Sequence, residues 1–138
     1  MKMVKIVVTG TTSKKLKKLL QEACIFYMHQ LGFRKRKRLL EIFIQIGHYG
    51  DHYGLCEFNY DFQWPEFLIH LDRDKGKEEM VKTLAHEMVH AKQFLRRELK
   101  EVRHQMHWLG VPSENEEWED EAYLMEEQLY NEYINART

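Results

Sequence analysis

Between Asp74 and Lys100 the apolar residues Met80, Leu84, Met88, Ala91 and Leu95 recur at steps of three and four. That spacing predicts one long helix, beginning near Asp74 to Gly76 and running to about Lys100. Its middle is polar, His86-Glu87-Met88-Val89-His90, with Leu84, Ala85 and Ala91 as small or apolar neighbours. On a helix, residues four apart stand one above the other with β-carbons about 5–6 Å apart. The rest of the chain has to fold around a helix that carries two stacked imidazoles and a carboxylate.

At 138 residues the chain is expected to form one domain, 1–138, because this length buries enough surface for one core and rarely for two. No internal repeat, low-complexity tract or Pro- or Gly-rich linker divides it. Residues 3–9 are rich in β-branched side chains and read as a strand. Gly10, Thr11, Thr12 and Ser13 supply a turn and a helix N-cap. Leu16, Leu19, Leu20, Ala23, Tyr27 and Leu31 then predict an amphipathic helix over 14–31, with lysines outside and Gly32 as its stop. Leu40, Ile42, Ile44 and Ile46 alternate with Glu41, Phe43 and Gln45 as in a strand. Leu55 to Tyr60 and Phe67 to Leu71 are two more strand candidates, separated by residues 61–65. Ser113-Glu114-Asn115-Glu116 has capping-box spacing, so a last helix is expected to start there, with Trp118, Ala122, Met125, Leu129 and Tyr133 as its core stripe. This order of elements points to an α+β fold with a small, mostly antiparallel sheet.

Composition excludes some classes. With 43% hydrophobic and 31% charged residues and a mean hydropathy of -0.62, the chain reads as a soluble globular protein. No apolar run approaches the roughly 20 residues of a membrane span. Ile6-Val7-Val8 is too short for a secretory signal core. A cytoplasmic protein without membrane association is expected. Cys24 and Cys56, the two cysteines, are expected to be reduced and partly buried.

Charge is unevenly placed. Residues 1–38 hold eleven Lys or Arg against one acid, Glu22, and residues 113–136 hold nine acids with no Lys or Arg. A solvated or internally paired surface is the favoured expectation, ahead of a nucleic-acid face built on the basic run 34–38.

The helical motif carries chemistry. Two imidazole nitrogens at this spacing can reach one ion at about 2.0–2.1 Å, and Zn2+ suits them best. Glu87 projects beside the pair, where it can hold a water that zinc has acidified and take its proton. A catalytic zinc site needs a third protein ligand and one open position. The candidates downstream are His104, His107 and the acids opening the last helix. Glu116 is claimed by the capping box, and Glu117 and Asp120 point away from the apolar stripe. Glu119 and Glu121 flank that stripe on opposite sides, and helical geometry does not choose between them.

The stretch Thr83-Leu84-Ala85-His86-Glu87-Met88-Val89-His90-Ala91-Lys92-Gln93-Phe94, followed by Trp108-Leu109-Gly110 and Trp118-Glu119-Asp120-Glu121-Ala122-Tyr123, resembles the small phage and prophage zinc metallopeptidases. These are minimal gluzincins, catalogued beside the SprT-like HExxH domains. The resemblance covers roughly the second half of the chain and departs in having Glu117 before Trp118, where the family commonly has Pro. It implies a zincin-like fold and a peptide or protein substrate cleaved by a zinc-activated water with Glu87 as general base. It also implies that Glu119, the glutamate three residues before Ala122 in the Trp-Glu-x-Glu-Ala pattern, is the third ligand beside His86 and His90. In zincins an edge strand pairs with the extended substrate, and the resemblance assigns that part to Phe67–Leu71. His104 or His107 as third ligand would instead match SprT-like proteases that act on DNA-associated proteins. A zinc-stabilised interaction module without catalysis is the remaining alternative. Tyr123, one turn after Glu119, is a candidate hydrogen-bond donor to a developing oxyanion.

Overall fold

The computed structural model describes residues 4–33, 39–50, 54–59 and 65–137. Strand β1 (Val4–Thr9) leads into helix α1 (Lys14–Gln30), and strands β2 (Leu40–Gly47), β3 (Gly54–Asn59) and β4 (Glu66–Asp72) follow. A single 3-10 turn (Arg73–Lys75) precedes helix α2 (Lys77–Leu95). Three short strands, β5 (Leu99–Val102), β6 (Gln105–Trp108) and β7 (Val111–Pro112), then lead to helix α3 (Glu117–Arg137). The fold is α+β, as expected. The basic run 34–38 and most of the expected 61–65 loop lie outside the described residues.

The main sheet differs from expectation. Its order is β1-β2-β4-β3, and both β1–β2 and β2–β4 pair in parallel, with β3–β4 alone antiparallel. Parallel neighbours need a crossover, and α1 is that crossover between β1 and β2. Alternation along a strand reports which face is buried, not which way the neighbour runs, so the sequence carried no signal of direction. The separate three-stranded sheet β5-β6-β7 is antiparallel throughout.

One face of the main sheet is the floor of the core. Leu40, Ile42, Ile44, Phe67, Ile69 and Leu71 have no exposed surface, while Glu41, Phe43 and Leu68, between them in sequence, are half-buried. Helix α1 packs on β1, and α2 on β3 and β4. Ser13 caps α1 by accepting the Leu16 N–H at 3.2 Å, within the turn the sequence marks. The Tyr27 hydroxyl donates to the Val81 carbonyl at 3.0 Å and so ties α1 to α2 inside the core. Cys24 is buried and Cys56 half-buried, both as free thiols. Among the described residues no helix is long and apolar enough to cross a membrane.

Helix α2 stops at Leu95, short of the expected Lys100. Arg97 takes a left-handed conformation, with φ of 58°. The Glu98 N–H bonds back to the Gln93 carbonyl at 2.9 Å, which turns the chain into the β5–β6 hairpin. Such stops usually use glycine, so an arginine in that role left no trace in the sequence. The capping box is also revised. Glu116 has φ of 53° and its carbonyl accepts the Glu119 N–H at 2.9 Å, while the Ser113 hydroxyl bonds to the Glu117 carboxylate.

Candidate metal centre

Helix α2 is buried on almost every side from Thr83 to Gln93, which puts His86 (8% exposed), Glu87 (5%) and His90 (9%) inside the protein. Buried polar groups need partners, and α3 supplies them to the two histidines. It runs back along α2, with Glu121 Oε1 at 2.8 Å from Lys92 Nζ near one end and Glu127 Oε2 at 3.7 Å from Lys82 Nζ further along. Its acids thus find lysines on α2.

This antiparallel docking brings Glu119 over the histidine pair. Glu119 Oε1 lies 3.2 Å from His86 Nε2 and in close contact with His90 Nε2. The imidazole rings themselves are 4.9 Å apart at 80°. Candidate ligand atoms of His86, His90 and Glu119 all fall within 4.8 Å of one another, and this is the group among the described residues that could hold a metal ion. Two neutral nitrogens and one carboxylate oxygen are donors suited to a divalent cation of intermediate softness.

The other imidazole nitrogens are engaged as well. His86 Nδ1 meets Glu126 Oε1 at 3.2 Å, and His90 Nδ1 meets Gln93 Oε1 at 2.8 Å. Such partners orient a ligating histidine and leave its Nε2 for the metal. Neither Glu126 nor Gln93 stands out in the sequence reading. The signal was spacing: Glu126 is two turns from Glu119, on the same face of α3, and Gln93 is one turn from His90 on α2.

Electrostatics follow from this packing. The hydrogen bonds from His86 and His90 hold the Glu119 carboxyl well below the usual carboxylate range. Burial opposes charge on His86, yet the Glu119 and Glu126 carboxylates outweigh it and raise its pKa. Glu87 behaves in the opposite way from Glu119. Burial pushes it up to about 7 despite the two histidines nearby.

The group opens into a cavity of about 690 Å³. Glu87 lines it with the three candidate ligands, and the edge strand β3 contributes Gly54, Leu55 and Cys56. Phe94, Leu99, Met106 and Trp118 add apolar lining. The Tyr123 ring rests edge-on against His86, 4.7 Å between centroids, and remains 62% exposed. Strand β4, which includes Phe67–Leu71, is paired on both sides and has no free edge. The edge beside the cavity belongs to β3.

The remaining candidates lie elsewhere. His104 is exposed at the turn of the β5–β6 hairpin, with φ of 66°, and His107 is half-buried in β6. Neither joins the metal-capable group. Glu121 faces Lys92 and Gln93. Burial works against its charge, but those two partners more than offset it and lower its pKa. In comparisons with known proteins, no family model, no curated protein and no solved structure matches the chain.

Proposed function

We propose that this chain is a zinc-dependent peptidase in which His86, His90 and Glu119 hold the ion and Glu87 is the general base. The observation that carries the reading is the placement of Glu87, a buried carboxyl that lines the same cavity as three convergent metal donors. A carboxyl beside the ligands of an ion can accept a proton from a bound water and return it within one catalytic cycle.

The donors fit zinc on chemistry. Ligands at about 2.0–2.2 Å from one tetrahedral ion stand roughly 3.3–3.6 Å apart. His86 Nε2 and Glu119 Oε1 are separated by 3.2 Å, and Glu119 Oε1 sits closer to His90 Nε2, so it would draw back from that ring to admit an ion. Three protein donors beside an open cavity leave a coordination position free, the arrangement of catalytic rather than structural zinc sites. When bound, the ion supplies Lewis acidity toward water and toward a carbonyl oxygen in the cleft. Glu87 takes the proton of the attacking water and passes it to the amide nitrogen that leaves. Among the described residues β3 is an outer strand of the main sheet, and such an edge offers main-chain hydrogen bonds to an extended polypeptide, which favours a peptide or protein substrate over a small one. Tyr123 lines the cavity, a position from which a tyrosine hydroxyl can donate to the oxyanion as it develops.

The test separates binding from catalysis. Purified wild-type protein is expected to hold about one zinc per chain and to cleave an unfolded protein in a zinc-dependent way. Glu87→Gln is expected to keep zinc and fold while losing about 10²–10⁴ in rate. Hydrolysis persisting within a few-fold would remove Glu87 as the base. Stoichiometric zinc with no hydrolysis by the wild type would leave a zinc-stabilised interaction module.

A further inference from the structure

Gln93 has no exposed surface, an unusual position for a primary amide, and its side-chain hydrogen bonds are directed at the metal-capable group and its support. Its Oε1 faces His90 Nδ1 at 2.8 Å. Its Nε2 donates to the Trp118 carbonyl at 2.9 Å and to Glu121 Oε1 at 3.0 Å. An amide with two acceptors on its nitrogen has only one sensible orientation, because a flip would set its oxygen against a carbonyl and a carboxylate. The oxygen is therefore presented to His90 Nδ1, which can donate its N–H to it. Nε2 is left facing Glu119, where it would ligate a bound ion.

The same side chain grips the backbone of Trp118, the residue immediately before Glu119. One amide thus sets the ring of a ligand on α2 and the height of a ligand on α3. Glu121 completes the arrangement, since its carboxylate accepts from Gln93 and pairs with the buried ammonium of Lys92, which also lies 3.0 Å from Glu98. This explains why the motif helix stays polar at Lys92 and Gln93, where it is buried.

We infer that Gln93 is a positioning residue that pre-assembles the metal site, fixing His90 for ligation through Nε2 and registering Glu119 against it. The inference rests on the metal reading and adds to it a residue that touches neither ion nor substrate.

The test is cobalt(II) and zinc titration against a competing chelator, with the visible cobalt spectrum as a second readout. Gln93→Leu keeps the volume and removes every hydrogen bond. It is expected to weaken metal affinity by about 10–100-fold, the usual cost of losing an outer-sphere partner, and to change the cobalt bands. Affinity within about twofold of wild type and an unaltered spectrum would overturn the inference. Failure of the wild type itself to bind either metal would instead sink the zinc reading, and the two failures are distinct. If Gln93→Leu does not fold, nitrogen-15 histidine spectra of the zinc-loaded wild type decide the matter. Ligation of His90 through Nε2 with a slowly exchanging Nδ1–H supports the assignment, and ligation through Nδ1 refutes it.

Discussion

Glu119 owes its position to two histidines on another helix and to its own place in the first turn of α3, where the backbone dipole favours a negative charge. Glu121, two residues on, meets Lys92 and Gln93 instead. Successive helical residues are rotated by about 100°, so two acids separated by Asp120 point to nearly opposite sides of α3, one to the histidine pair and one to Lys92 and Gln93. Glu119→Ala is therefore predicted to weaken zinc binding by more than the roughly 10–100-fold expected of an outer-sphere loss, well beyond Glu121→Ala, His104→Ala or His107→Ala. Isothermal titration of the four variants checks this. Unchanged affinity in Glu119→Ala, with a large loss in either histidine variant, would transfer the third ligand to the β5–β6 hairpin. Spacing and residue type made His86, Glu87 and His90 legible in the sequence, because all three lie within one helical turn. Glu119 was one of two flanking acids until a resemblance chose between them, and no helix-local rule could tell how α3 is rotated against α2.

Strand β3 and helix α2 approach each other closely at Gly54. A Cβ built on Gly54 would overlap Thr83 Cγ2 and approach Glu87 Oε2 to 3.1 Å, so a glycine here lets the edge strand lie directly against the motif helix. Gly54→Val should force strand and helix apart at a cost of about 1–3 kcal/mol, the usual scale of overpacking, and displace Glu87. Urea denaturation, together with cleavage of an unfolded protein, measures both effects. Parent-like stability and rate would mean that this close approach is not needed. The sequence marks Gly54 only as punctuation before a strand. Its reason is a neighbour 29 residues later in the chain, found only once β3 is seated at the sheet edge beside α2.

At the scale of the whole molecule, the metal-capable group lies between the Lys92–Glu121 and Lys82–Glu127 pairs that join α2 to α3, and most of the apolar core lies elsewhere. Far along α3, Tyr133 joins a ring cluster with Phe26 at 5.4 Å and Tyr27 at 5.8 Å, and Leu129 is buried nearby. These contacts hold α3 without any ion. Chelation is accordingly predicted to lower the melting temperature but leave the far-UV circular dichroism largely intact, with amide exchange rising most over 117–123. By mass action, free zinc at a thousand times its dissociation constant adds about 4 kcal/mol to stability, so Tm should climb with added zinc. Glu119→Ala should lose that response. Global unfolding in chelator would show instead that the metal closes the fold, as in structural zinc modules.

Local periodicity determined the helices α1, α2 and α3, the alternating faces of β2 and β4, and the stacking of His86 on His90, since each depends on residues within a turn or a strand of one another. Tertiary structure decided the parallel direction of β1, β2 and β4, the free edge on β3 and the hairpin after α2. It also brought Glu119, Glu126 and Gln93 to the two imidazoles. Those outcomes depend on how separate elements dock, and docking is set by the summed burial of whole faces and by left-handed turns such as Arg97 and Glu116. A short sequence pattern reports the chemistry that one helix can present; the partners of that chemistry arrive only when a second helix is laid across it.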